Sequence, residues 1–126
     1  MTNVKEVWDN SDYPIMGWHD CRIYSIEFPL AIDNFKLKFD LDYIFDISKS
    51  EGNMTFMIAP CVLTFEGVVN LSFDLDFGRR TELDILHLER KECERLEEAS
   101  VKYWTYVVET RVGDIIFDAF NYRQVL

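Results

Sequence analysis

Near the start of the chain, Gly17–Ile26 reads GWHDCRIYSI. His19-Asp20 is the pair a general base and its orienting carboxylate would supply, provided a nucleophile and a pocket lie within hydrogen-bond reach. Neighbouring residues on an extended chain point to opposite faces, so on a strand Asp20 is poorly placed to orient His19. The other histidine, His87, lies far along the chain, and nothing between them says that they meet. Residue type favours a structural role: Asp20 accepts backbone N–H groups at a turn, while His19 packs on Trp18 or donates to a carbonyl. A polar binding contact at His19 and Asp20 is the alternative, and catalysis ranks behind both.

A second group of residues is acidic. Asp40 and Asp42 share one face of an alternating segment; Asp74 and Asp76 share one face of another. If those segments are neighbouring strands, the carboxylates crowd and repel unless a cation sits between them. Ca²⁺ or Mg²⁺ would suit the oxygen ligands, and so would the Lys and Arg side chains of a basic partner. Asp-Leu-Asp on a rigid strand lacks the curling loop with which one segment wraps calcium, so neither a metal nor a cofactor is expected. A solvated face is the plain reading, with Lys36 and Lys38 pairing to the same aspartates.

Nucleophiles are poorly placed for chemistry. Cys21 adjoins Arg22, which would lower its pKa, but no Cys-His order of a known type is visible. No serine lies in G-x-S-x-G, and the glycines are too scattered for a phosphate loop. No enzyme is expected.

The elements that must position these residues are strands. Phe35–Phe45, FKLKFDLDYIF, puts Phe35, Leu37, Phe39, Leu41, Tyr43 and Phe45 on one face and Lys36, Lys38, Asp40 and Asp42 on the other. Such alternation predicts a strand with one dry and one wet face. Val69–Phe77, VNLSFDLDF, repeats the arrangement. Further strands are predicted over Arg22–Phe28, over Met54–Phe65 with Pro60 marking a bulge, edge or break, over Val101–Val112, and over Ile115–Tyr122 after a Gly113-Asp114 turn. Glu89–Ser100, ERKECERLEEAS, reads as a short helix or charged excursion. The expectation is an all-β domain with at most one short helix and six or seven antiparallel strands, in a curved sheet, sandwich or partly closed barrel.

The 126 residues make one domain, 1–126, and 48% hydrophobic with 15% aromatic residues supplies one core. A net charge of −10 makes nucleic acid and anionic membranes poor partners and a basic protein the natural complement; solubility alone is the bland account of the same charge. Cys21, Cys61 and Cys93 are odd in number and widely spaced, which fits reduced thiols in a cytoplasmic protein. The N-terminus has no apolar signal region, and no run is long enough to span a membrane. A homo-oligomer through an uncovered sheet edge is compatible with all of this.

The two ends of the chain together resemble a group of small bacterial β-rich proteins. In that group a W-H-D-x-x-I-x-x-I-x-F opening is followed by long alternating strands and a G-x-I-x-F-x-A-x-x-x-Q close. Trp18, His19, Asp20, Ile23, Ile26 and Phe28 match the opening; Gly113, Ile115, Phe117, Ala119 and Gln124 match the close; Ile58–Val68 resembles the central strand pair. Some members look like immunity proteins of polymorphic toxin systems, and many have no known function. The resemblance implies a β-rich fold and a protein-binding role, and supplies no catalytic residue.

The functional expectation is therefore an acidic protein-interaction domain of immunity type, which neutralises a basic toxin by binding it. Asp40, Asp42, Asp74, Asp76, Glu94, Glu97 and Glu98 are its candidate contacts. The alternative is a β-cavity protein that holds a small apolar ligand among its aromatic residues.

Overall fold

The computed structural model describes residues 6–28, 35–50, 52–93 and 102–126, with the backbone alone for 45–50 and 53–56. Its elements are β1 (Val7–Asp9), a 3-10 helix over Asn10–Ile15, β2 (Arg22–Glu27), β3 (Lys36–Ser50), β4 (Asn53–Glu66), β5 (Val69–Leu75), β6 (Leu83–Glu92), β7 (Trp104–Thr110), β8 (Gly113–Ala119) and β9 (Asn121–Val125). They form one antiparallel sheet of nine strands in the order β1-β9-β4-β3-β2-β6-β7-β8-β5. Among the described residues, no helix is long and apolar enough to cross a membrane.

A single sheet can bury a core only by curling over its own inner face. Phe65 on β4 lies 4.8 Å, between ring centres, from Tyr106 on β7 and 4.7 Å from Phe117 on β8, although β3, β2 and β6 separate β4 from β7 in the sheet. Chain connections show the same curl. β8 is followed at once by β9, near the opposite end of the strand order, and Phe120 between them donates its N–H to the Glu66 carbonyl. Among the described residues the sheet does not close: β1 and β5 are its edges.

The alternation over Phe35–Phe45 holds on β3, where Leu37, Phe39, Leu41 and Tyr43 are buried. Phe35, just before the strand, is half exposed. Over Val69–Phe77 it holds only weakly, since Val69, Phe73 and Phe77 each remain more than a third exposed. β5 is an edge strand with an irregular register between Val69 and Ser72, so the curled sheet covers its apolar side on one flank alone.

Three expectations are corrected. Among the described residues there are nine strands, not six or seven, and of the curved sheet, sandwich or partly closed barrel expected they form a single curved sheet that is not closed. The charged segment from Glu89 begins as strand: Glu89, Arg90, Lys91 and Glu92 pair with Val107, Tyr106, Thr105 and Trp104. Pairing with a central neighbour overrides helix propensity there. The β7–β8 turn is Arg111-Val112 rather than Gly113-Asp114, because Gly113 already pairs with Thr110 as the first residue of β8. Glycine is required at 113 for a different reason: φ is +133°, and a Cβ would collide with the Asp74 carbonyl oxygen. Pro60 neither breaks nor ends β4. It stands opposite Asp42, beyond the stretch that β9 covers, so among the described residues no strand pairs with that flank of β4 and its missing N–H costs no ladder bond to β9.

Candidate functional site

Trp18 and Gln124 fix the first candidate region. The indole is buried and its Nε1 donates to Gln124 Oε1 at 2.9 Å, joining the opening of the chain to its last strand. Tyr43 and Tyr122 pack edge-on against the same indole at 6.3 and 5.7 Å. From this anchor the chain turns: Cys21 N–H returns to the Trp18 carbonyl at 3.0 Å, and Asp20 takes φ of +65°, a value that Asp tolerates better than most side chains.

That turn is why His19 and Asp20 do meet, against the expectation drawn from an extended chain. His19 Nδ1 lies 3.0 Å from Asp20 Oδ2, and Arg111 Nη2 lies 3.5 Å from Asp20 Oδ1. Asp20 serves the backbone as a donor rather than as the expected acceptor, its N–H reaching the Ile85 carbonyl at 2.7 Å. Ile85 N–H in turn reaches the Cys21 carbonyl at 2.9 Å. The His-Asp turn thus lengthens the joint between β2 and β6, which has only two residue pairs in register, Arg22–Asp84 and Ile23–Leu83. Arg22 Nε donates to Asp84 Oδ1 at 2.9 Å across the same joint, which holds the guanidinium charged and raises its pKa. His87, on β6, comes to 5.6 Å from His19 between ring centres. Sequence reasoning lacked that meeting because it depends on where β6 lies.

The second region is the outer face of β2, β3 and β4. Asp40 and Asp42 project from β3 away from the core, while β4 places Val62 opposite Asp40 and Pro60 opposite Asp42. With Tyr24 and Leu126 these residues line a shallow depression of about 180 Å³. The carboxylates are held in place from β2: Ser25 Oγ donates to Asp40, and Tyr24 Oη donates to Asp42 at 2.6 Å. The second bond favours the protonated phenol and raises the Tyr24 pKa. A carboxylate offers about four lone-pair sites, so each aspartate keeps most of its acceptor capacity. Among the described residues no ion pair involves either aspartate. The expected pairing with Lys36 and Lys38 is absent, and those lysines stand opposite Glu66 and Glu27 in register.

Asp74 and Asp76 do not join this group. β5 and β3 are separated by β2, β6, β7 and β8, so the two aspartate pairs form no four-carboxylate cluster. Asp74 stands opposite Asp114, which stands opposite Glu109, a separate acidic row. Asp76 lies past the end of β5 and accepts the Gly78 N–H at 3.0 Å. Glu94, Glu97 and Glu98 lie outside the described residues. No three His, Cys, Asp or Glu side chains among the described residues are gathered to hold a metal ion.

A third region is apolar. Phe28, Phe35, Leu37, Val68, Val69 and Leu71 line a groove of about 460 Å³ where the starts of β3 and β5 approach the end of β2. Phe28 meets Phe73 edge-on at 5.6 Å beside it. The thiols belong to none of these regions as nucleophiles: burial pushes both Cys21 and Cys61 up to about 11, so each stays protonated at neutral pH. Comparison with family models, with curated proteins and with solved structures gives no match for this chain.

Proposed function

We propose that this protein is an acidic binding module that takes up a basic protein and neutralises it by covering its surface. One observation carries the reading: the depression in which Asp40 and Asp42 stand beside Tyr24, Pro60, Val62 and Leu126. An Arg or Lys side chain needs two things at once, apolar surface for its methylene stem and acceptors for its head. The depression offers Val62, Pro60 and Leu126 to the stem and two pre-positioned carboxylates to the head. The overall charge of −10 would speed encounter with a cationic partner. The resemblance to immunity-type proteins supports the same reading, with steric occlusion as the mechanism.

The test is titration of a labelled, lysine- and arginine-rich peptide by fluorescence anisotropy at several salt concentrations. Replacing both carboxylates, Asp40→Asn with Asp42→Asn, removes two exposed charge contacts of about 0.3–1 kcal/mol each, a weakening of roughly three- to thirtyfold. The pair Asp74→Asn and Asp76→Asn serves as the control of equal charge. Equal weakening by the two pairs would mean that the peptide senses net charge and no particular site.

The apolar groove favours a second reading, a holder of a small apolar ligand, since about 460 Å³ falls within the size of ordinary ligand sites. A thermal-shift screen with apolar metabolites separates the two, because a ligand of the folded state stabilises it by mass action. Stabilisation by such a compound that is lost in Leu71→Asp would favour the groove; no stabilisation by any of them counts against it.

A further inference from the structure

We propose that His19 and His87 form a two-imidazole site for a divalent transition metal of the zinc type, set across the joint between β2 and β6. Their ring centres are 5.6 Å apart at an interplanar angle of 59°. Two imidazoles on one tetrahedral zinc, with bonds of about 2.0–2.1 Å, place their ring centres roughly 5 Å apart. The observed spacing of the rings is close to the spacing that one shared ion requires. Both side chains are exposed, so an ion reaches them from solvent without opening the core.

The surroundings of His19 suit a ligand. Its Nδ1 faces Asp20 Oδ2 at 3.0 Å. A proton held on that side leaves the lone pair of the neutral ring on Nε2, the nitrogen free to coordinate. A carboxylate behind a metal-bound imidazole orients the ring and raises its basicity. Asp20 is itself fixed, by Arg111 on its other oxygen and by its own N–H to the Ile85 carbonyl. Glu109 stands opposite His87 in register and adds negative charge on the β7 side. Since no third protein ligand is gathered here among the described residues, water completes the coordination. Imidazole donors select zinc, copper or nickel over calcium and magnesium, which prefer oxygen.

The ion would act as a clamp. The joint between β2 and β6 holds two residue pairs in register, whereas the neighbouring β2–β3 pairing holds five. An ion bound by the turn at His19 and by β6 at His87 ties together the two parts of the sheet where the ladder is shortest.

Zinc chloride is titrated into the untagged, full-length protein, freed of metal by a chelator and carrying Cys93→Ser to remove the half-buried thiol. Calorimetry reads stoichiometry and affinity, and thermal unfolding reads the clamp. One ion binds per chain, raises the melting temperature and leaves calcium without effect. His19→Ala and His87→Ala each weaken binding at least about tenfold and abolish the melting shift; Asp20→Asn weakens it roughly ten- to a hundredfold as a partner of a ligand. His19→Gln and His87→Gln repeat the test should either alanine variant unfold, with circular dichroism without metal as the folding check. Zinc affinity unchanged in the histidine variants, several weak ions per chain, or no binding by the parent overturns the proposal.

Discussion

Removing the hydrogen bond between Trp18 and Gln124 tests how the candidate sites are held in place. Both side chains are buried, and among the described residues Gln124 Nε2 has no hydrogen-bond partner. In Trp18→Phe the buried Gln124 Oε1 loses the indole donor, at a cost of about 1–3 kcal/mol. The smaller ring leaves a void worth on the order of 1–2 kcal/mol more. Together these amount to about 2–5 kcal/mol, a large part of the 5–15 kcal/mol typical of a domain. For a chain of this length each kcal/mol lowers Tm by roughly 3–5 °C. Gln124→Leu alone strands the indole N–H but removes the unpartnered amide, for a net loss of about 1–2 kcal/mol. The double variant has neither polar group to satisfy, so its loss falls short of the sum of the single losses by about 1–2 kcal/mol. Urea unfolding of the four proteins in the cycle measures this. Losses that add to within about 0.5 kcal/mol would refute the claim that this bond fastens the opening turn to β9.

Phe65→Ala should cost about 3–5 kcal/mol by urea unfolding, since this fully buried ring meets Phe39, Tyr106, Phe117 and Tyr122 and joins the facing parts of the curled sheet; a loss under about 1 kcal/mol would contradict the curl. Arg90→Lys should destabilise by about 1–2 kcal/mol in the same assay. The guanidinium lies 4.0 Å from the ring centres of both Tyr13 and Trp104, and it bonds Asn10 and the Tyr106 hydroxyl, a planar set that an ammonium cannot replace. In the native protein at pH 8 a thiol reagent should modify Cys93 alone, with Cys21 and Cys61 reacting after denaturation; fast labelling of Cys21 would contradict its burial. Both buried thiols bind their protons more tightly folded than unfolded, so their contribution is intact below pH 9 and is lost as pH rises through about 11. Chemical denaturation across that interval should show stability falling.

The all-β character is legible wherever a strand alternates without interruption. β3 is the clearest case, because four inward residues and the outward Asp40 and Asp42 keep strict period two. β6 is not legible in the same way. Its buried residues are Leu83, Ile85 and Leu88, and an irregular register between Ile85 and His87 breaks the period. With Glu89–Glu92 helix-favouring by composition, nothing local marks that segment as a strand. β1 has three residues, too few to show any period. β8 and β9 read as one strand because the break at Phe120 is made by a bond to Glu66, distant in sequence. The same limit applies to the sites. The outward direction of Asp40 and Asp42 follows from alternation, but their apolar neighbours Pro60, Val62 and Leu126 depend on strand order. The approach of His87 to His19 depends on β6 lying beside β2, and the contact of His19 with Asp20 on a positive φ at Asp20.

Mapping a short arginine peptide onto the isotope-labelled protein by NMR tests the binding surface most directly. The account predicts saturable shifts centred on Tyr24, Asp40, Asp42, Val62 and Leu126, weakened by salt and removed by Asp40→Asn with Asp42→Asn. Shifts of equal size at Asp74, Asp114 and Glu109, with no saturation at the β3 face, would contradict it.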